Sequence, residues 1–301
     1  MARSLAWLTA LLAAAVAAQP AFSQDMEDVE IGVESLTDTV YMLTGRGGNI
    51  GLVVTDDGAF LIDDQYAPLT ERILEAVESV TDQPVKFVLN THWHGDHTGG
   101  NENLAESGSM IVAHDNVRER LSSEQVSEFL DRTTPPSPDG ALPVVTFSDS
   151  ITFHPGGETV RAFHVANAHT DGDAVVHLPE SDVIHAGDIV FYGLYPFIDV
   201  DSGGSLAGMI DGVERIAELA GSETQIIPGH GPLIDRERLL EYHHMLKTVH
   251  DRLSERIRFA QSLDEIKAAG ITDEFDEKWG DGFISPERWV ELLYRDMEAE
   301  R

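Results

Sequence analysis

The chain has 301 residues, with 53 acidic side chains against 20 basic ones, a formal net charge of −33, and no cysteine. A field of that sign repels phosphate backbones and excludes nucleic acid as a natural partner. The missing thiols exclude disulfides, lipid attachment through cysteine and thiolate metal ligands, while a hydrophobic content of 42% is enough for a sizeable core.

The N-terminus carries Arg3, an apolar stretch from Leu5 to Ala18 and small residues near Ala18 and Ser23. This pattern predicts a signal peptide over 1–23, removed to leave a soluble periplasmic or secreted protein. The apolar stretch is too short for the roughly 20 residues a membrane span needs. Strands are expected at Val40 to Leu43, Ile50 to Val54 and Ala59 to Ile62. The intervening turns are Gly45 to Asn49, a glycine-rich hairpin loop that could form a flap, and Asp56 to Gly58. Ile73, Leu74, Val77 and Val80 repeat at helical spacing within Leu69 to Val80, and Val85 to Leu89 reads as a buried strand. A short helix around Leu104, a strand at Met110 to Ala113 and a helix from Asp115 lead to an exposed Pro135 to Gly140 loop. A second strand set follows at Val144 to Phe147, Ile151 to Phe153, Thr159 to Val165, Ala174 to Leu178 and Val183 to Ala186. Then come a helix at Leu206 to Leu219 and a strand at Gln225 to Ile227.

Strands followed by helices, twice, predict two sheets packed face to face with helices outside. Residues 24–234 would form the catalytic domain, and 235–301 a helical extension packed on its second half. The buried stripe of the extension is expected at Leu239, Leu240, His243, Leu246, Val249 and Leu253. Trp279, Phe283, Trp289, Leu292, Leu293 and Tyr294 supply apolar mass near its end.

The chemistry concentrates in Thr91-His92-Trp93-His94-Gly95-Asp96-His97, on the loop where the Val85 strand ends. Three imidazoles and a carboxylate at that density would each need a hydrogen-bond partner in a core, but together they suit zinc. His92 and His94 alternate around Trp93 and can grip one ion, while Asp96 and His97 lie a turn on and can face a second. Three further glycine-bounded loops follow strands and hold His169, Asp188 and His230. The count then closes on two ions: His92, His94 and His169 for the first, Asp96, His97 and His230 for the second, with Asp188 bridging. His114, His154, His164, His177, His185, His243, His244 and His250 are assigned structural or surface roles.

Asp63, His92-x-His94-x-Asp96-His97, His169, Asp188 and His230 together resemble the five-motif pattern of the metallo-β-lactamase superfamily, over roughly Val40 to Pro232. The resemblance implies an α/β fold, the four-layer αβ/βα sandwich, with the metals at one edge between the sheets and Asp63 supporting the metal loop from behind. It also implies a small-molecule hydrolase with two zinc ions per chain, iron or manganese being alternative occupants. Two such ions lower the pKa of shared water towards about 7 and supply the nucleophile, with Asp96 orienting it and shuttling its proton. Charge argues against the family's nucleases, and export against glutathione thioesters. This leaves a cyclic amide or ester, with a β-lactam as the leading expectation. Lactonase, esterase or thioesterase action is the alternative, because Asp188 stands where many β-lactamases of the family have cysteine or serine. An iron-dependent persulfide dioxygenase and a zinc-holding accessory protein without turnover are the other classes. The four lysines, Lys86, Lys247, Lys267 and Lys278, all lie away from Asp188 in sequence, so Arg46, Tyr192 and Tyr195 are the candidate substrate contacts.

Overall fold

Period-two alternation makes the strands over 40–62 two-faced, and both faces are covered. The computed structural model describes residues 26–299, so the expected signal segment lies outside the described residues. Strands β1 (Gly32–Ser35), β2 (Val40–Thr44), β3 (Ile50–Thr55) and β4 (Gly58–Ile62) pair antiparallel in sequence. Helix α1 (Thr70–Glu78) then crosses to β5 (Val85–Leu89), which lies parallel to β4. After α2 (Gly95–Thr98) and α3 (Asn101–Glu106), β6 (Met110–His114) extends the sheet in parallel. Beyond α4 (Asp115–Leu121) and a hairpin of β7 (Gln125–Ser127) and β8 (Arg132–Thr134), β9 (Val145–Phe147) completes seven strands.

The second sheet runs β10 (Ser150–Phe153), β11 (Val160–His164), β12 (Ala174–Leu178) and β13 (Val183–His185) antiparallel. Strand β14 (Gln225–Ile227) lies parallel to β13 after helix α5 (Leu206–Leu219). Helices α6 (Arg236–Arg258), α7 (Leu263–Ala268), α8 (Asp273–Trp279) and α9 (Pro286–Ala299) follow. Among the described residues no helix is long and apolar enough to cross a membrane.

Three apolar layers hold this together. Val53 and Phe60 from one sheet meet Ala162, Val176 and Ile227 from the other in the central layer. The neighbours Leu52 and Leu61 point the opposite way, onto Leu69, Ile73 and Val77 of the α1 region. Phe163, Val175 and Ile184 do the same for the second sheet, against Met209 and Val213 of α5, Leu246 of α6 and Trp289 of α9. Fully burying each such side chain contributes about 1.5–3 kcal/mol. This is the expected four-layer αβ/βα sandwich.

Several local expectations are corrected. The long helix α6 buries Tyr242, Met245 and Ile257 along with Leu239, Leu246, Val249 and Leu253, whereas Leu240 faces outward and His243 is half-buried against Glu214 of α5. Phe283 is not core but 75% exposed. Strands β1, β7 and β8 were not anticipated, since each is short and mostly exposed and carries little apolar alternation.

Candidate metal centre

Asp63 follows β4, His92 and His94 follow β5, His169 follows β11, Asp188 follows β13 and His230 follows β14. Strand ends from both sheets therefore deliver these side chains to one edge of the sandwich. His92, His94, His169 and Asp188 offer ligand atoms within 4.8 Å of one another, and so do Asp96, His97 and His230. The carboxylate of Asp188 reaches both groups. Its Oδ1 lies 3.1 Å from His97 Nε2, and its Oδ2 lies 3.5 Å from the Nε2 atoms of His169 and His230 and 3.7 Å from that of His92.

Hydrogen bonds on the far side of each ring decide which nitrogen is left bare. His94 Nε2 donates to Asp199 Oδ2 at 2.9 Å and His169 Nδ1 to the Phe197 carbonyl at 2.7 Å. Thr91 Oγ1 gives its proton to Asp63 Oδ2 at 2.8 Å, so it accepts from His92 Nδ1 at 3.1 Å. With these tautomers assigned by their partners, His92 Nε2, His94 Nδ1 and His169 Nε2 all present lone pairs inward. They lie 2.9 and 3.1 Å apart around His94, and Asp188 Oδ1 is buried without a hydrogen bond. Lone pairs converging on lone pairs and a carboxylate repel unless a cation sits among them. The set of imidazole and carboxylate donors fits two divalent ions of the zinc class.

Electrostatics divide the imidazoles into two groups. Burial holds the His92 imidazole well below its ordinary pKa, and it takes His169 down to about 4, so both stay neutral with lone pairs free. Burial works against charge on Asp188 and Asp96, but the surrounding imidazoles override it and keep both carboxylates low. For His97 and His230 the opposition of burial is overcome by the neighbouring carboxylates, Asp188 first, which raise His97 well above its ordinary value and His230 to about 9, so these two rings hold protons that a cation entering beside them would displace.

The surrounding loops are built for close approach. Asp63, at φ +67°, accepts from Thr91 N and His97 Nδ1 at 2.7 Å each, and so orients the metal loop as expected. A Cβ on Gly48 would stand 2.1 Å from His97 Cε1, and one on Gly229 would stand 2.0 Å from Asp188 Oδ1. The Gly45 to Asn49 loop is pinned at its inner end. Gly48 N donates to the Asp96 carbonyl, Asn49 N to the Gly229 carbonyl, and the Asn49 amide to the Pro228 and Gly231 carbonyls. That loop is part of the site wall.

All seven expected ligands thus converge, but the expected substrate contacts do not. Tyr195 is buried against Trp289, 4.2 Å centroid to centroid, with its hydroxyl donated to Asp276 at 2.7 Å. Tyr192 bonds Glu241 and Lys278 at 2.8 Å each. Both tyrosines are drawn into the helical extension because an apolar ring with one polar tip fits a helix interface that supplies an acceptor. Arg46 stays exposed at the loop tip. Its charge acts on Tyr66, whose hydroxyl is pushed up by burial and Asp96 and pulled down by His97, Arg132 and Arg46. The assigned structural histidines behave so: His185 is fully buried on the Asn49 carbonyl, and His114 bonds the Ser148 carbonyl.

Sequence reasoning missed Asp199, the buried partner of His94, and the aromatic rings against the ligands. Phe197 lies 6.0 Å from both His94 and His169, and Phe191 stacks on His230 at 5.1 Å. Asp199 is one acidic residue among many, 105 positions from His94, and nothing local marks it.

Comparison with known proteins places these features in context. The family model described as the metallo-beta-lactamase superfamily matches residues 43–235. A beta-lactamase-like protein 2 homolog of Caenorhabditis elegans is 26% identical, over 82% of this chain and 80% of its own. A metallo-beta-lactamase type 2 of Bacillus cereus is 29% identical over 65% and 72%, and a hydroxyacylglutathione hydrolase of Gloeobacter violaceus is 26% identical over 72% and 79%. A solved metallo-beta-lactamase of Pontibacter korlensis, 23% identical with a TM-score of 0.59, is covered to 99% of its length by 72% of this chain. This chain therefore carries structure beyond that shared fold.

Proposed function

Because the chain belongs to the metallo-β-lactamase superfamily, a family of metal-dependent hydrolases, we propose that it cleaves an ester-type bond, a carboxylic ester, lactone or thioester, at a two-ion centre. The reading rests on Asp188, whose carboxylate spans both ligand groups. Such a carboxylate would serve two ions at once, and the seven polar groups of the cluster would supply their ligands, Asp96 from the open side. An alkoxide or thiolate departs from such a site far more readily than an amide nitrogen, which needs a proton as it leaves. Bound zinc would lower the pKa of water towards about 7 and polarise the scissile carbonyl.

The chain's own residues do the rest. Asp96, about a quarter exposed, is the carboxylate at the opening, with Oδ2 3.3 Å from His230 Nε2. It orients the attacking water and carries its proton to the departing oxygen or sulfur. Asp63, Asp199 and the Phe197 carbonyl hold the imidazoles in the tautomers that face inward. Phe191 and Phe197 exclude water beside them, which strengthens every charge interaction inside.

A second reading, β-lactam opening, is favoured by the likeness to the metallo-beta-lactamase type 2 of Bacillus cereus, 29% identical over 65% of this chain. One assay separates the two. The zinc-loaded protein is given p-nitrophenyl acetate, a γ-lactone, a hydroxyacylglutathione thioester and a chromogenic cephalosporin, each with a chelated control. Chelator-sensitive turnover of an ester-type substrate at least about tenfold above the cephalosporin supports the proposal, and the reverse order replaces it with the second reading. Metal analysis accompanies it: two zinc per chain agrees with hydrolysis, whereas one iron with oxygen uptake on a persulfide would move the protein to a dioxygenase. Export rests on the Arg3 to Ser23 pattern alone, and N-terminal sequencing of the secreted protein tests it.

A further inference from the structure

The mouth of the metal centre is lined by aromatic rings contributed from three separate parts of the chain. Phe197, from the loop after Asp188, touches two ligands with one side of its ring, 6.0 Å from His94 and His169. Outward, the same ring meets Phe129, at the tip of the β7–β8 hairpin, and Phe283, between α8 and α9, each at 6.3 Å. A continuous aromatic path therefore runs from solvent to the imidazoles. Its outermost member, Phe283, is 75% exposed. A single exposed ring needs no explanation, but this one sits edge-on to a ring that covers two metal ligands.

The placement is actively held. Trp279 at the end of α8 accepts from Tyr195 N at 2.8 Å, and Trp289 in α9 stacks on the Tyr195 ring. Gly282 packs so closely on Leu194 that a Cβ there would stand 2.8 Å from Leu194 Cδ2. Arg288 lies over the Phe129 ring at 4.7 Å and donates to the Phe129 carbonyl at 3.0 Å. Arg295 pairs with both Glu128 and Asp201, at 2.8 and 2.6 Å, and Asp201 in turn accepts from Glu128 N. The extension thus clamps the hairpin tip and presents Phe283 beside it.

We propose that the C-terminal extension is a working part of the substrate site, and that Phe129, Phe197 and Phe283 form a subsite for an apolar acyl group flanking the scissile carbonyl. This rests on the ester-type reading for the word acyl. The location follows from Phe197, which leans on the His92, His94 and His169 group rather than on Asp96, the carboxylate assigned to the proton. An alkyl or aryl chain laid along the three rings leaves water while its carboxyl end reaches the ligands, and each buried methylene strengthens binding. Phe283 is the specificity-determining ring because it alone of the three belongs to the extension.

The test uses the full chain loaded with zinc and two readouts. Calorimetric titration with sodium octanoate and sodium acetate measures binding without turnover. Hydrolysis of p-nitrophenyl octanoate and acetate measures KM and kcat. The variants are Phe283→Ala and, as a surface control, Phe259→Ala, whose ring is 67% exposed at the end of α6. Wild type is expected to bind octanoate more tightly than acetate. Phe283→Ala should weaken octanoate, and raise the octanoate ester's KM, about tenfold, a loss far larger than that for acetate, with thermal stability unchanged. Phe259→Ala should change none of these. Equal binding of the two anions by wild type, an equal loss for both in Phe283→Ala, or the same loss in Phe259→Ala would each overturn the subsite. If no ester is hydrolysed but octanoate binding still depends on Phe283, the ester reading falls and the apolar subsite stands.

Discussion

Replacing Asp199 by asparagine is the most informative single change, because it keeps shape and reverses one proton preference. Asp199 is buried, its Oδ2 2.9 Å from His94 Nε2 and its Oδ1 capping Ser202 N at 3.2 Å. Asparagine can keep the cap through Oδ1, but its amide then points N–H groups at His94 Nε2–H. With the cap kept, the clash is relieved by moving the imidazole proton to Nδ1, the nitrogen that faces His92 and His169, which removes a lone pair from the first ion position. A hydrogen bond to a charged group contributes about 1.5–3 kcal/mol, and each 1.4 kcal/mol is a factor of about ten in affinity. The expected loss at the His92, His94 and His169 position is therefore about 10- to 100-fold, in line with other carboxylate partners of metal-bound histidines. Competition against a chromophoric zinc chelator measures it, with near-ultraviolet circular dichroism to confirm an intact fold. Wild-type affinity at both positions, or an equal loss at both, would refute the tautomer argument.

Gly48→Ala places a methyl group against the His97 ring, which Asp63 holds in place. It should weaken the ion held by Asp96, His97 and His230 at least about tenfold, read by the same titration, and should also lower the melting temperature of the chelated protein, because the buried ring can yield only by giving up Asp63. Tyr195→Phe removes the hydroxyl donated to Asp276 and should cost about 1 kcal/mol in urea unfolding. Its KM should stay at the wild-type value, and a raised KM would restore Tyr195 as a substrate contact. His114 is held below its ordinary value of 6.5 by burial and by His164, stacked 3.9 Å away. The unfolded chain therefore takes up that proton first as pH falls. The stability this residue contributes is complete above pH 6.5 and is lost progressively below it. Urea unfolding from pH 7.5 to 5 should show a shallower decline in His114→Asn than in wild type, and parallel curves would refute the assignment.

The metal ligands were legible in the linear chain because metal chemistry demands rare side chains at tight spacing. His92, His94, Asp96 and His97 lie within six positions, and His169, Asp188 and His230 each lie in a glycine-containing loop after an apolar strand, His230 directly between two glycines. The sandwich was legible for a similar reason: alternation such as Leu52, Val53, Phe60 and Leu61 assigns each residue to a face before any partner is known. The C-terminal helices showed their period but not their facing. The period alone buries Leu240 in place of Tyr242 and Met245, because a stripe along a helix fixes its direction only once the helix has a neighbour.

Contacts between distant segments were settled by the tertiary structure alone. Asp199 meets His94 across 105 positions, Tyr195 turns to Asp276 rather than to substrate, and Phe283 reaches Phe197 from the far end of the chain. Each involves a residue type common enough to be unremarkable in sequence, and its role depends on what the fold sets opposite it. Local spacing is written along the chain and determined which groups are the candidate ligands. Which tautomer each imidazole takes, and what lines the way in, depends on partners brought together by packing, and no local pattern encodes that.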